Sequence, residues 1–195
     1  FKNKAGKHEI IHIGTHAESN NLHPEYSRLI FAKEEGNSKE DNNLYLSEIY
    51  NCDLSSSLTV LTACETGKPG YKDGEGMISL AHAFNFAGSE SILMGLWKIE
   101  EKASAKIADT FYRNLITGMP NDEALRQAKL SYLTTKGSTL DPAYWAGMVL
   151  MGDTAPVSLP ERNYTMYWLG ALIMVVGTCL ILINRRGARK SVPRV

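Results

Sequence analysis

The sequence predicts an α/β protein with a mainly parallel sheet and helices on both faces. Three observations predict it. Short apolar, β-branched runs at residues 10–14 and 58–63 end abruptly on reactive or polar side chains. Runs with helical spacing of apolar residues follow them, and the alternation of the two patterns is that of a sheet whose crossovers are helices. The chain has 195 residues, enough for one domain with a substantial core plus a short extra element.

The elements follow in order. Residues 10–14 (IIHIG) read as a strand that delivers His16 just past its carboxyl end. An extended stretch at 27–32, a charged Asn/Gly-rich loop at 33–43 and a return at 44–46 predict a hairpin decorating the sheet. Ser47 can cap a short helix over 47–50. Residues 58–63 (LTVLTA) form the second strand, which delivers Cys64. Over 76–87, Met77, Leu80, Ala81, Phe84 and Ala87 have amphipathic helical spacing. Gly88 stops that helix where a left-handed residue is cheapest. Residues 91–96 read as a buried strand. Ile107, Phe111 and Leu115 share one face of a helix over 103–117 that ends at Gly118. Asn121 can cap the next helix, with Asp122 and Glu123 favouring its dipole and Leu125, Ala128 and Tyr132 on its buried face. Residues 145–151 are a final apolar strand, and 154–164, with Pro156 and Pro160, a linker.

Formal charge balances over the whole chain, but residues 1–153 hold 15 Lys/Arg against 20 Asp/Glu and are mildly acidic. Nothing resembles a basic nucleic-acid face. Cys52, Cys64 and Cys179 lack the spacing of a disulfide framework. The chain opens on Phe1 and a basic stretch that runs straight into a strand, so it reads as the C-terminal part of a longer protein.

Residues 166–183 carry no charge. As a helix they would extend about 27 Å, close to the hydrocarbon core of a bilayer. Tyr164, Tyr167 and Trp168 flank the entry, and Arg185, Arg186, Arg189, Lys190 and Arg194 follow the exit, as anchors of a spanning helix do. A buried core helix is the alternative, but the run follows the last motif of the domain. The expectation is a single-pass membrane helix at 165–184 with a basic tail at 185–195. By the positive-inside rule the tail is cytoplasmic and the globular domain extracytoplasmic.

His16 and Cys64 are the candidate catalytic pair. In an open parallel sheet, chemistry sits beyond the carboxyl ends of the strands. An imidazole placed there takes the thiol proton, and the thiolate attacks a carbonyl. Asp73, Glu75, Glu100 and Glu101 fall in the loops after the cysteine strand and the next strand, where they can line a primary specificity pocket. Gly14 and Gly67 either let the backbone approach a substrate closely or serve as ordinary turn residues. His8, His12 and His16 share a spacing that suggests zinc, but no fourth ligand is evident and the isoleucines between them favour a strand. No metal is expected, and His12 reads as a hydrogen-bonding support for the His16 loop.

The runs HIGTHA, LTACETG, GEGMISLAHAFNFAGSESILMGLWKIEE and WAGMVLMGD, in that order over most of 8–153, resemble the CHAT family. That resemblance implies a caspase-like three-layer α/β/α domain over 1–153 that works as a cysteine endopeptidase on protein substrates, without a cofactor. It implies an oxyanion hole from the backbone N–H groups of Cys64 and Ala17, and an acidic pocket for a basic side chain. The family often shows Asp where Glu101 stands. Upstream tetratricopeptide repeats binding protein partners are expected to gate activity. The alternative is a non-catalytic CHAT-type interaction or signalling module.

Overall fold

The computed structural model describes residues 1–2, 4–18, 20, 23–32, 41–62, 64–65, 75–159, 168–170, 174 and 177–178. The chain falls into two compact units, Phe1–Leu159 and Pro160–Val195. In chain order the first contains β1 (Ile10–Ile13), β2 (His16–Glu18), β3 (Arg28–Ile30), β4 (Asn43–Tyr45), α1 (Leu46–Tyr50) and β5 (Leu58–Leu61). There follow β6 (Cys64–Glu65), α2 (Glu75–Phe86), β7 (Ser91–Gly95), α3 (Glu101–Ile116), α4 (Asn121–Thr134) and β8 (Met148–Gly152).

The main sheet has the order β1-β5-β7-β8, with the first three strands parallel and β8 antiparallel to β7. Side chains alternate across a strand, and the sequence puts apolar groups on both faces. Ile11, Ile13, Leu61, Ile92 and Met94 pack with Ile49 of α1 and with Leu80, Ala81 and Phe84 of α2. Leu58, Val60 and Leu93 pack with Ile107, Phe111 and Leu115 of α3 and with Leu125 and Ala128 of α4. The sheet is therefore a middle layer with a helical layer on each side. A sheet buried on both faces reads as continuous apolar runs, which is how β5 and β7 appear in the sequence.

A second, smaller sheet has the order β4-β3-β2-β6. Its β3–β4 hairpin is antiparallel and its β2–β6 pair parallel. Strands β2 and β6 prolong β1 and β5 without a slip, since Ile13 lies opposite Leu61 and His16 opposite Cys64. Each expected strand is thus followed, after a short gap, by a second strand that the sequence did not suggest, the gap lying at Gly14 and Thr15 on one side and beginning at Thr62 on the other.

Other boundaries move for local reasons. The short helix begins at Leu46, with Tyr45 rather than Ser47 in the cap position. The Glu48 carboxylate accepts the Tyr45 N–H at 2.9 Å, so a third-position acid does the capping. Asn121 is the first residue of α4 and Pro120 occupies the cap. The Asn121 side chain turns inward instead, and its Nδ2 donates to Ser91 Oγ at 3.3 Å. The last strand starts at Met148, because Pro142–Tyr144 form a 3-10 turn capped by the Asp141 carboxylate. Val157, expected within the linker, is buried in the core against α3 and α4.

Of the uncharged run at 166–183, residues 168–170, 174, 177 and 178 are helical. The remainder of the expected span, and the basic tail at 185–195, lie outside the described residues. Among the described residues, no helix is long and apolar enough to cross a membrane.

Candidate functional site

A cleft of about 1230 Å³ opens at the carboxyl edge of the parallel strands. It is lined by His12 of β1, the gap residues Gly14, Thr15 and Thr62, His16 of β2, residues 98–101 and further residues of α3, with residues 143–144. This is where ligands bind in open α/β sheets.

His16 is exposed and opens β2, one of the two inner strands of the small sheet. On one side it lies opposite Ile30 of β3, and on the other opposite Cys64, the first residue of β6. The Thr15 hydroxyl donates to the Ile30 carbonyl and pins the approach to His16 from the hairpin side. Further along β2, Arg28 grips the Glu18 carboxylate through Nε at 3.0 Å and Nη2 at 2.7 Å. The hairpin is therefore clamped to the strand that presents His16. The backbone alone brings His16 and Cys64 to one register position at one sheet edge.

The other expected site residues are placed unequally. Glu100 and Glu101 line the same cleft as His16. Glu100 already has a structural task, because its carboxylate accepts the Ala103 N–H at 2.8 Å and caps α3. Ala17 is completely buried and flanked by β3 and β6. Glu75 is the first residue of α2. Asp73 and Gly67 lie outside the described residues. A Cβ on Gly14 would lie 3.2 Å from Thr62 Oγ1, a tight contact that the hydroxyl would have to yield to.

Two residues not singled out in the sequence complete the site. The Tyr112 hydroxyl meets His12 Nδ1 at 2.9 Å, and His12 Nε2 meets Thr62 Oγ1 at 3.0 Å. The Thr62 backbone N–H donates to the Ile13 carbonyl at 3.0 Å, on the other side of the same gap. Desolvation in the cleft lowers the His12 pKa, and burial pushes the Tyr112 phenol up to about 12. A phenol that stays protonated donates to Nδ1, which leaves Nε2–H to donate to Thr62. The signal in the sequence was slight. Tyr112 sits beside Phe111 on the edge of the apolar face of α3, and Thr62 is one polar residue at the end of an apolar run. His12 was expected to support the His16 loop. Its bonds run instead to α3 and to the end of β5. Among the described residues, no group of three or more His, Cys, Asp or Glu side chains is arranged to hold a metal.

A parallel sheet between two helical layers, with an exposed histidine and a cysteine-bearing strand paired beside an edge cleft, fits the caspase-like class of α/β folds. Residues 1–153 match the CHAT domain family, and the chain belongs to it. The CHAT domain is part of a peptidase-like clan. The chain is also similar to Tetratricopeptide repeat protein 28 of Mus musculus and of Homo sapiens, with 27% identity over 118 residues in each case. The match covers 60% of this chain and 5% of each relative, so the chain spans only a small part of their length.

Proposed function

We propose that this CHAT domain is a caspase-like cysteine endopeptidase acting on protein substrates, with Cys64 as nucleophile and His16 as its base. The observation that carries the reading is the pairing of β2 with β6, which puts His16 opposite Cys64 at the cleft-bearing edge of the sheet. The exposed imidazole would take the thiol proton, and the thiolate would attack the scissile carbonyl. The imidazolium would then protonate the departing amine, and water would hydrolyse the acyl-enzyme. No cofactor is needed for these steps. The backbone N–H of Cys64 is the proposed oxyanion donor, because a fixed dipole facing the developing charge stabilises the tetrahedral intermediate. The N–H of Ala17 is the proposed second donor, on a residue that is completely buried in the small sheet.

Glu100 and Glu101 add negative charge to the cleft, and Asp73 and Glu75 complete the proposed acidic set. A basic side chain before the scissile bond is the substrate feature that suits them. On sequence grounds the reading keeps residues 166–183 as a membrane anchor, with the globular domain outside the cytoplasm. It also keeps upstream tetratricopeptide repeats as the gate on activity.

The test is a positional peptide library offered to the wild-type chain and to its Cys64→Ala and Cys52→Ala variants. Cleavage after basic residues by the wild type and Cys52→Ala, and none by Cys64→Ala, is the expected result. Retained cleavage in Cys64→Ala removes the assignment of the nucleophile. A preference for acidic or apolar residues removes the acidic pocket. Silence in all three favours a non-catalytic interaction module.

A further inference from the structure

The paired strands that carry His16 and Cys64 are both interrupted just before those residues, and ladder hydrogen bonds alone do not hold such a gap rigid. A chain of side-chain bonds crosses it instead. His12 and its register partner Val60 face the α3–α4 side of the sheet, so His12 meets Tyr112 of α3, with the two rings 5.7 Å apart. Both ring nitrogens of His12 are engaged, Nδ1 by Tyr112 and Nε2 by Thr62. Thr62 is thereby held from two sides, through its hydroxyl by His12 and through its N–H by Ile13. It lies two residues before Cys64, as Gly14 lies two before His16. A Cβ on Gly14 would lie 3.2 Å from Thr62 Oγ1, so a methyl group there would need the hydroxyl to give by a few tenths of an ångström.

The geometry points to Tyr112, His12 and Thr62 as a positioning relay that fixes the gap between β5 and β6, and with it the separation of His16 and Cys64. It deepens the peptidase reading and rests on it. None of the three is a catalytic residue, since each acts through the backbone that carries the proposed pair. The relay starts from α3, which is held to the sheet by Phe111, the completely buried residue next to Tyr112. Its inner end is a hydroxyl, and a hydroxyl can be removed with almost no change of volume. Misplacement of reacting groups by a fraction of an ångström is costly in rate although it leaves substrate contacts in place.

The experiment uses the full chain with Cys52 and Cys179 replaced by alanine, so that iodoacetamide reports on Cys64 alone. Thr62→Val, Thr62→Ser, Tyr112→Phe and His16→Ala are compared by alkylation rate against pH and by kcat and KM on a cleaved peptide. Thr62→Val and Tyr112→Phe are each expected to lower kcat about tenfold with KM within about twofold, as loss of alignment does. Both should move the alkylation profile to higher pH, in the direction that His16→Ala moves it, and Thr62→Ser should restore the wild-type profile. If Thr62→Val fails to fold, Tyr112→Phe carries the comparison, because it deletes only a hydroxyl. Profiles unchanged in Thr62→Val and Tyr112→Phe but shifted in His16→Ala overturn the relay and leave the proposed pair standing. A profile unchanged in His16→Ala overturns the pair itself, and the relay with it.

Discussion

His12 and Tyr112 meet in the cleft wall where ionisation of either ring is unfavourable, and the consequence is a stability that depends on pH at both ends. Desolvation holds His12 below its ordinary value of 6.5, so the unfolded chain binds the proton more readily than the folded one. The stabilisation from a neutral His12 is complete above pH 6.5 and is lost as pH falls below it, toward the lowered folded value. Tyr112 runs the other way. Its phenol is raised from 10.0 to about 12, so its contribution is complete below pH 10 and is lost as pH rises toward 12. Urea unfolding followed against pH should therefore show an acid slope that His12→Gln flattens and an alkaline slope that Tyr112→Phe flattens. Equal slopes in the wild type and both variants would mean that neither ring is desolvated as placed.

The ends of the helices show how one residue type can serve two purposes. Gly88 after α2 and Gly118 after α3 both have left-handed backbones, with φ of 109° and 80°. A Cβ on Gly88 would lie 2.0 Å from the Leu54 carbonyl oxygen, whereas a Cβ on Gly118 would meet nothing within 4 Å. Gly118→Ala should thus cost only the conformational penalty, about 1 kcal/mol. Gly88→Ala adds a backbone collision at the point where the Leu54 N–H donates to Ala87, and should cost at least about 2 kcal/mol more. Denaturant titration of the two variants separates the terms, and equal losses would remove the collision from the account. Asn121 illustrates a different competition at a helix start. Its side chain would satisfy the helix as a cap, but the buried Ser91 hydroxyl claims its Nδ2, and Asn121 Oδ1 has no hydrogen-bond partner among the described residues.

At the scale of the whole molecule, the two helical layers bury the sheet and leave its carboxyl edge as the open face. That edge carries the cleft, His16 and the first residue of β6, so the proposed chemistry lies where the fold has a working surface. The apolar run at 166–183 poses a separate question of topology. If the proposed anchor spans a membrane, the positive-inside rule would leave the basic tail in the cytoplasm and the CHAT domain outside it. Protease added to intact cells expressing the full protein should degrade the globular domain while the tail stays protected. A domain that survives until the membrane is broken would reverse that orientation, and release of the domain with the soluble fraction would remove the anchor.

The sequence by itself determined the α/β class, the order of strands and helices, and the presence of a histidine and a cysteine at the ends of two apolar runs. Those features are local. Hydrophobic period and turn residues set them, and β5, α2, β7, α3 and α4 all lie within a few residues of their expected places. Their common origin is the need to bury both faces of one sheet. The tertiary structure alone decided the gaps in both strands, the inward turn of Asn121, the burial of Val157, and the meeting of Tyr112 with His12. Each depends on partners far away in the chain, and the hydrogen bond from Tyr112 to His12 joins residues 100 positions apart. No pattern of spacing carries such a bond. It exists because strand register and helix packing bring a half-buried phenol to one imidazole.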